Sequence, residues 1–237
     1  MLKLDWHEPN VISQKNFSIA SDTSTANIYL LRKKYNIEVA EWNEILFRRY
    51  NGANINRNGY GFPLSDKNFD LHAAKICDFV FAMRLNAPKF YPEAKYLPIT
   101  TENLPVALNI AEKWLSEHDS DDISLQNEQF SIHEAADNWE KLGMRGGILY
   151  ADGEPAAMII FSFLNEQCID AHFEKSANKF AQVGASATIK KFMASVEENS
   201  TYKYINFEED VGIIGLKRAK ESYRLYFKIK KYYGEVF

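Results

Sequence analysis

The 237-residue chain contains little cysteine and no long apolar segment. Its two cysteines, Cys77 and Cys168, stand far apart without a CxxC pair or a histidine cluster. We therefore expect buried free thiols rather than a disulfide framework, a zinc site or another metal site. The longest apolar run, residues 156–164, is interrupted by Ser162 and is too short to span a bilayer. Because the first residues also lack the apolar core of a secretion signal, we expect a cytoplasmic protein without a transmembrane segment.

The sequence also lacks the excess of positive charge that is typical of proteins coated in nucleic acid. The formal net charge is −4 and the pI is about 5.8, so DNA is not an expected partner. The charge is uneven, because residues 203–237 contain eight Lys/Arg and five Asp/Glu. That segment therefore carries a formal charge of +3 and leaves −7 on the remainder. A local basic surface at the carboxyl end could still contact a phosphate group.

In the amino-terminal part, the residue pattern predicts two helices with two strands between them. They are a helix over residues 23–34 capped by Asp22, strands over 37–42 and 45–50, and a helix over 69–85. Pro88 and Pro92 are expected to end the second helix and to mark a linker. We place a domain junction near Tyr96, which divides the chain into residues 1–96 and 97–237.

The carboxyl-terminal part has clearer signals. The expected helices cover residues 101–117, 131–142, 184–199 and 215–222. The first has Pro105 in its first turn, and a capping box from Ser131 to Glu134 opens the second. The expected strands cover 147–150, 155–164, 168–173, 203–207 and 225–229. The acidic segment 117–128 is interpreted as a loop.

The segment from Tyr202 to Tyr226, YKYINFEEDVGIIGLKRAKESYRLY, runs from an aromatic strand through three acids and two glycines into a basic helix. A strand that ends in Glu208, Glu209 and Asp210 beside a glycine-permitted turn is a common way to build an active site in α/β folds. The acids could equally cap the helix, whose N-terminus favours negative charge. Residue types alone leave both interpretations open.

This segment resembles the signature of the bacterial lysylphosphatidylglycerol synthase C-terminal-like family. The matching residues are Asn206, Glu208, Asp210, Gly212, Gly215, Leu216, Ala219, Lys220, Ser222 and Tyr223. The segments AHFEKS around His172 and STANIYLLRKKY from Ser24 to Tyr35 resemble further family motifs. Many members are uncharacterised, and their chains resemble two N-acyltransferase (GNAT) folds in tandem. The resemblance implies an α+β protein with a GNAT-like mixed sheet flanked by helices, in two tandem halves of which the first is shortened.

Such a fold opens a V between two central parallel strands, here expected at residues 168–173 and 203–207. Transfer then needs a base and groups that hold the donor. Glu208 and Asp210 are the candidate bases, while His172 and Glu174, on one side of a strand, are candidates to shuttle a proton or to be a structural core pair. The resemblance and the basic helix give the candidate substrate- or donor-binding residues, which are Lys175, Asn206, Gly212, Gly215, Lys217, Lys220, Ser222 and Tyr223.

The phosphate loop of acetyl-CoA-dependent members is not matched, because in KFAQVGASA Gln182 lies one position too close to Gly184. A helix N-terminus there can still bind an anion through its backbone N–H groups. We therefore predict no tightly bound cofactor, and an aminoacyl-tRNA or an acyl-CoA as the donor substrate. The acceptor would be the amine or hydroxyl of a small molecule or a lipid headgroup, and charged tRNA is the candidate macromolecular partner.

The first hypothesis is a GNAT-like transferase that moves an acyl or aminoacyl group. The alternative is a non-catalytic GNAT-like ligand-binding or interaction module. The short run 86–97 favours the alternative, because the family usually has a longer and very basic insertion there. The motif of acids, glycines and lysines at 208–220 favours catalysis.

Overall fold

The computed structural model describes residues 4–10, 20–42, 45–51, 58–64, 77–82, 93–118, 121–196, 199, 201–223, 225–230 and 233–234. The α-helices in these residues are α1 Thr25–Leu30, α2 Arg32–Tyr35, α3 Leu104–Ser116, α4 Ile123–Asp137, α5 Asn178–Ala181, α6 Ala185–Ser195 and α7 Ile214–Glu221. The strands are β1 Ile37–Trp42, β2 Ile45–Asn51, β3 Asn58–Leu64, β4 Cys77–Ala82, β5 Lys95–Pro98, β6 Arg145–Ala151, β7 Glu154–Asn165, β8 Cys168–Ser176, β9 Tyr204–Asn206, β10 Phe227–Lys230 and β11 Tyr233–Gly234.

The described strands form two sheets. A four-stranded sheet has the order β1-β2-β3-β11, and a seven-stranded sheet has the order β10-β4-β9-β8-β7-β6-β5. Neighbouring strands are antiparallel except for β8 and β9, which run parallel. The helices α5 and α6 lie between these two strands in the sequence, and α7 follows β9. The larger sheet is therefore mixed, with its one described parallel pair near the middle.

Strand β7 shows why the larger sheet is covered on both faces. Its central residues are almost all apolar, and such a run is typical of a strand with no solvent-exposed face. Alternate residues enter different clusters, because Ile159 packs with Ile189 and Met193 of α6, whereas Ile160 packs with Ile110 of α3 and Ile132 of α4. The sheet is consequently the middle layer between α6 on one side and α3 with α4 on the other.

The parallel pair separates soon after it forms. The ladder between β8 and β9 joins Cys168 to Tyr204, Ile169 to Ile205, and Asp170 to Asn206, where it ends. Beyond this point β8 continues to Ser176, while the chain after β9 turns toward α7. The sheet is thus the GNAT-like mixed sheet that the resemblance implied, with its V at the expected strands.

Several sequence predictions are confirmed. The strands of the antiparallel meander β6-β7-β8, the helices α3 and α6, and the strand-to-helix connection β9-α7 all occur where they were expected, with ends that differ by a few residues. Cys168 is a buried free thiol, and burial raises its pKa. The side chain of Cys77 lies outside the described residues. The junction near Tyr96 stays a prediction, and strands from both sides of it share the seven-stranded sheet.

Four predictions were wrong. The helix over 69–85 is contradicted by β4, which pairs with β9 and β10, so sheet pairing overrides the helical periodicity there; the other residues of that predicted helix lie outside those described. Ser24 rather than Asp22 caps α1, by accepting a hydrogen bond from the Asn27 N–H. Ser131 opens no helix, because α4 already begins after Asp122 and the Ser131 hydroxyl donates to the Leu30 carbonyl at 2.5 Å. The acidic segment 117–128 is consequently helical from residue 123 on.

Candidate functional site

A cavity of about 520 Å³ lies where β8 and β9 part. Its walls include residues 171–175 of β8 and the segment 207–209 that follows β9. The other walls come from α1 and α2, from α3 and α4, and from α6 and α7. The seven-stranded sheet and helices from most of the chain therefore converge on one pocket, which is where a ligand is expected in an open α/β sheet.

A chain of three polar side chains runs along the floor of this cavity. Glu208 Oε1 is 3.0 Å from His172 Nδ1, and the opposite ring nitrogen, Nε2, is 2.8 Å from Ser162 Oγ. Asn27 of α1 adds a second donor to the same oxygen, with a distance of 2.6 Å from Nδ2 to Oε1. The carboxylate is thus held by one residue from the first helix and by one from β8.

The partners of His172 fix its tautomer. An ionised carboxylate only accepts hydrogen bonds, so Nδ1 must carry the proton that it shares with Glu208. In a neutral ring Nε2 then accepts from the Ser162 hydroxyl. Ser162 does not line the cavity and is 1% exposed, so it orients the imidazole and cannot reach a substrate. The order Ser-His-Glu is therefore that of a catalytic triad, but its hydroxyl is not placed to act as a nucleophile.

A second carboxylate lies beside this chain. Asp170 Oδ2 is 3.8 Å from His172 Nδ1, and Asp170 is fully buried. In the described part of the chain, Asp170, His172 and Glu208 are the one cluster with ligand atoms within 4.8 Å of one another, the spacing that a metal ion would need. Because Nδ1 is already within hydrogen-bond distance of Glu208, we interpret the cluster as a hydrogen-bond network that holds the Glu208 carboxylate.

A buried polar network supports the end of β9. Asn206 accepts a hydrogen bond of 2.7 Å from the Glu208 N–H and donates one of 2.9 Å to Asp78 Oδ2. Asp78 on β4 is fully buried and also accepts from the Ser21 N–H at 2.6 Å. The backbone at Glu208 is therefore connected through two side chains to β4 and to the segment before α1.

Lys220 of α7 reaches back to the same turn. Its Nζ donates to the backbone carbonyl oxygens of Phe207 and Glu209, the two neighbours of Glu208. Burial lowers the pKa of Lys220 to about 8, although the nearby Glu208 carboxylate favours the charged ammonium. Lys220 thus lines the cavity with an ammonium that is bound to the main chain.

On the α6 side of the cavity, Glu174 Oε2 accepts hydrogen bonds from Lys190 Nζ at 2.7 Å and from Ser186 Oγ at 2.9 Å. Burial alone would raise the pKa of Glu174, but the Lys190 ammonium outweighs it and holds the pKa below its ordinary value. Burial likewise disfavours the charged form of Lys190, but the Glu174 carboxylate outweighs burial and raises the pKa of Lys190. Both side chains therefore stay charged and occupied with each other.

The helical end of the cavity contains a further ion pair. Lys175 Nζ is 2.8 Å from Glu128 Oε2 of α4 and lies 3.8 Å from the centre of the Trp114 ring of α3. Burial favours the neutral form of Glu128, but the Lys175 ammonium lowers its pKa below the ordinary value. This pair closes the pocket between α3, α4 and β8.

The structure brings together some of the residues that the sequence singled out. His172, Glu174, Lys175, Glu208, Lys220 and Tyr223 line the cavity, and Asn206 supports it. Asp210 does not line it, and instead accepts a hydrogen bond of 3.0 Å from the Gly212 N–H in the turn before α7. Gly212, Gly215, Lys217 and Ser222 are exposed and lie outside the cavity lining.

Sequence reasoning missed the partners that come from other elements. Ser162, Asp170, Lys190, Glu128 and Trp114 were not proposed as site residues, and Ser186 was considered only for the backbone N–H groups of its helix N-terminus. Asp170 had a usable signal, because it lies two residues before His172 on the same strand. The alternation does not extend to Glu174, because the β7/β8 ladder is irregular at His172. Ser186 and Lys190 also had a usable signal, since residues four apart share one side of a helix.

Comparison with known proteins adds a family. The family model described as "Phosphatidylglycerol lysyltransferase, C-terminal" matches residues 86–234. A conserved protein of unknown function from Bacteroides thetaiotaomicron has a similar crystal structure, with 21% identity, coverage of 97% of this chain and 98% of that chain, and a TM-score of 0.79. The C-terminal domain of a protein described as a lysylphosphatidylglycerol synthetase, from Agrobacterium fabrum, has 9% identity, covers 91% and 87% of the two chains, and gives a TM-score of 0.57.

No curated protein sequence shows significant similarity to the chain. Among the helices that the structure describes, none combines the length and the apolar character that crossing a membrane requires.

Proposed function

The chain belongs to the phosphatidylglycerol lysyltransferase C-terminal family, and from this premise we propose that it transfers an acyl or aminoacyl group from a phosphate-bearing donor to an amine or hydroxyl acceptor. The observation that carries the proposal is the position of Glu208, which lies at the opening of the β8/β9 pair inside the cavity. A GNAT-like V provides room for the reacting carbonyl, and Glu208 provides a base beside it.

The proton of the acceptor goes to Glu208. In the described part of the chain, the side-chain hydrogen bonds that this carboxylate accepts, from Asn27 and from His172, both end on Oε1. Oε2 is therefore the oxygen that is left for a substrate. As the acceptor nitrogen or oxygen forms its bond to the carbonyl carbon, its proton passes to Oε2, and the bond to the leaving group breaks when the tetrahedral intermediate collapses.

His172 keeps this carboxylate in place and offers it an N–H while the negative charge is present. Tyr223 lines the same cavity, and we assign its phenol the return of a proton to the leaving group, either a ribose hydroxyl or a thiol. Peptide groups at the opened edges of β8 and β9 would serve the developing oxyanion. The bound ion pairs Glu174–Lys190 and Glu128–Lys175 would shape the pocket around the transferred group.

The phosphate groups of the donor would bind at the opening of the cavity. Lys217 and Arg218 are exposed on α7, next to Leu216, which lines the cavity. Cations at this position can hold a phosphate outside the pocket while the acyl end enters it. This arrangement suits charged tRNA better than acetyl-CoA, because the sequence before α6 lacks the acetyl-CoA phosphate loop.

A lipid headgroup fits as the acceptor. The family description names phosphatidylglycerol, whose headgroup carries free hydroxyls. The rim of the cavity supports this choice, because Ile213, Ile214 and Leu216 are 53%, 67% and 43% exposed beside it. Exposed apolar residues at a pocket mouth are suited to contact lipid tails or another apolar surface. A soluble small molecule remains the alternative acceptor that the test includes.

The test is a transfer assay with the purified chain. Radiolabelled aminoacyl-tRNAs are supplied with phosphatidylglycerol vesicles, and acetyl-CoA is supplied with small amines in parallel. We expect label in the lipid fraction, and a loss of about 100-fold or more in Glu208→Gln, which keeps the shape of the side chain but cannot accept the proton. Glu166→Gln, in the exposed turn between β7 and β8, is the matched control. Full activity of Glu208→Gln would contradict the mechanism, and no transfer from either donor would favour the non-catalytic module.

A further inference from the structure

Glu208 adopts an unfavourable backbone conformation that its neighbours must stabilise. Its φ is 55°, in the left-handed region, which is unfavourable for an L-residue with a side chain. The residue lies directly between Phe207 and Glu209, which are 6% and 8% exposed. The strained residue is therefore the one that carries the carboxylate, within an otherwise buried segment. Strain of this kind persists when neighbouring groups over-determine it.

The contacts of Lys220 oppose relaxation of this turn. One ammonium donates to the carbonyl oxygens of both Phe207 and Glu209. In an extended strand the carbonyls of residues two apart point the same way and lie roughly 6.6 Å apart. A single nitrogen that makes two bonds of about 2.9 Å cannot join oxygens more than roughly 5.8 Å apart. The bridge is thus possible only when the backbone at Glu208 is turned.

Two further sets of hydrogen bonds, at Asn206 and at the Glu208 carboxylate, also favour the turned conformation. Asn206 Oδ1 accepts from the Glu208 N–H at 2.7 Å, so the amide before the turn is also engaged. The carboxylate at the other end of Glu208 is bound by Asn27 and His172. Lys220 is the one member of this set that comes from α7, the helix that lies at the mouth of the cavity.

We infer that Lys220 is a positioning residue, which holds Glu208 in its turned conformation and thereby sets the carboxylate against His172. This inference rests on the proposed role of Glu208 as the base, and it replaces the expectation that Lys220 binds a donor phosphate. N–H groups of Lys220 donate to two backbone carbonyls, so fewer N–H groups of this ammonium can donate to a phosphate. The phosphate contacts then belong to the exposed cations Lys217 and Arg218.

The first test needs no substrate. The Nδ1 proton that His172 shares with Glu208 is followed by ¹H–¹⁵N NMR on the whole chain, in the wild type, in Lys220→Met and in Glu208→Gln. Lys220→Met keeps the length of the side chain and removes its donors. We expect the strongly downfield signal of the wild type to be lost or shifted in Lys220→Met, toward its position in Glu208→Gln. The control, Lys203→Met, removes an exposed lysine just before β9 and should leave the signal unchanged.

The second test uses the transfer reaction. A positioning role predicts that Lys220→Met lowers kcat by about 10- to 100-fold and leaves the donor KM within about twofold, because misplacement of a catalytic group affects the chemical step. A phosphate-binding role predicts the opposite division, with a raised donor KM. An unchanged Nδ1 signal together with a raised donor KM would overturn the inference.

The two proposals fail in different ways. If the wild type transfers nothing, the proposed function fails while the NMR comparison still decides whether Lys220 positions Glu208. If Lys220→Met does not fold, Lys220→Arg supplies parallel N–H donors that can bridge two carbonyls. That variant is expected to keep the Nδ1 signal, and its loss from a folded Lys220→Arg protein would contradict the inference.

Discussion

Asn27 donates a hydrogen bond of 2.6 Å to Glu208, although the two residues are 181 positions apart in the sequence. Asn27 lies on α1 and is 5% exposed, whereas Glu208 follows β9 near the other end of the chain. The carboxylate at the centre of the cavity is therefore completed by the amino-terminal part of the protein. The proposed transfer reaction would therefore depend on the amino-terminal part as well, and one substitution tests this.

We predict that Asn27→Asp places a second carboxylate against Glu208 and removes the donor. The buried repulsion should lower the transfer rate about tenfold or more and destabilise the fold by about 1–3 kcal/mol. Initial rates and urea denaturation measure the two effects. Asn51→Asp is the matched control, because Asn51 also donates to a glutamate, Glu38, at 2.5 Å, but is exposed. Equal effects of the two substitutions on rate and stability would contradict a specific role of the Asn27–Glu208 hydrogen bond.

Lys190→Met should make stability depend on pH in a new way. In the wild type the pKa of Glu174 lies below its ordinary value of 4.5, so the pair stabilises the fold above that pH and loses this effect as the pH falls through the lowered pKa. Without the ammonium, burial raises the pKa of Glu174 above 4.5, and the variant loses stability as the pH rises.

The difference between wild type and Lys190→Met should consequently grow from pH 4.5 to pH 7 and reach about 3 kcal/mol, since the side chains of the pair keep only 14% and 20% exposure. Chemical denaturation at several pH values measures it. Lys179→Met breaks the exposed pair with Glu154 and should change the pH dependence much less, because solvent screens this pair. A pH-independent difference for Lys190→Met would mean that Glu174 is not left as a buried charge.

Ser162→Ala tests whether the Ser162 hydroxyl orients His172 or acts as a nucleophile. Because Ser162 lies behind His172 and outside the cavity lining, its loss should only loosen the imidazole. We expect a decrease of about 3- to 30-fold in kcat, smaller than that of Glu208→Gln, and no covalent acyl adduct in the wild type. Mass spectrometry of the protein incubated with its donor tests the second point. An acylated Ser162, or complete loss of activity in a folded Ser162→Ala protein, would favour a covalent mechanism.

Gly147→Ala should destabilise the central sheet. A Cβ atom at this position of β6 would lie 2.0 Å from the ring of Tyr96 on β5, so one of the two must move. We expect a loss of about 1–3 kcal/mol, measured by urea denaturation, as in other overpacked sites. Gly215→Ala, in α7 with no atom within 4 Å of the added carbon, should instead be neutral or stabilise by about 0.5–1 kcal/mol.

A second substitution tests whether the Tyr96 ring causes the loss of stability in Gly147→Ala. In a Tyr96→Ala background the clash is removed, so Gly147→Ala should cost less there than in the wild type. An equal cost in both backgrounds would assign the effect to the strand backbone rather than to the ring.

The sequence predicted the carboxyl-terminal fold well because its signals are local. Strands β6 to β8 alternate between polar turns and apolar runs, and Pro105 marks the first turn of α3. The helix predicted over 69–85 failed for the opposite reason. The segment of β4 has apolar residues that fit a helix face, and only its neighbours β9 and β10, more than 120 residues away, make it a strand.

The candidate site was predictable to the extent that its residues share one element. His172 and Glu174 were proposed from a family motif and from their alternation on β8, and both line the cavity, but they bind different partners, Glu208 and Lys190. Glu208 was proposed from its place after β9. Asp210 was proposed from the same motif, but its carboxylate binds the Gly212 N–H, which no pattern distinguishes from a catalytic position. The contact between Asn27 and Glu208, and the bridge from Lys220 to two carbonyls, depend on tertiary geometry that sequence spacing does not contain.

The position of β4 has a practical consequence for dissecting this protein. A fragment that starts at residue 97 would lack the strand that pairs with β9 on one side and β10 on the other. Without β4, β9 would become a bare edge and β10 would lose its described partner strand, and the Asp78 carboxylate that binds Asn206 would be absent. Bare edges recruit strands from other molecules. Such a fragment should therefore self-associate or precipitate rather than report the activity of an isolated half.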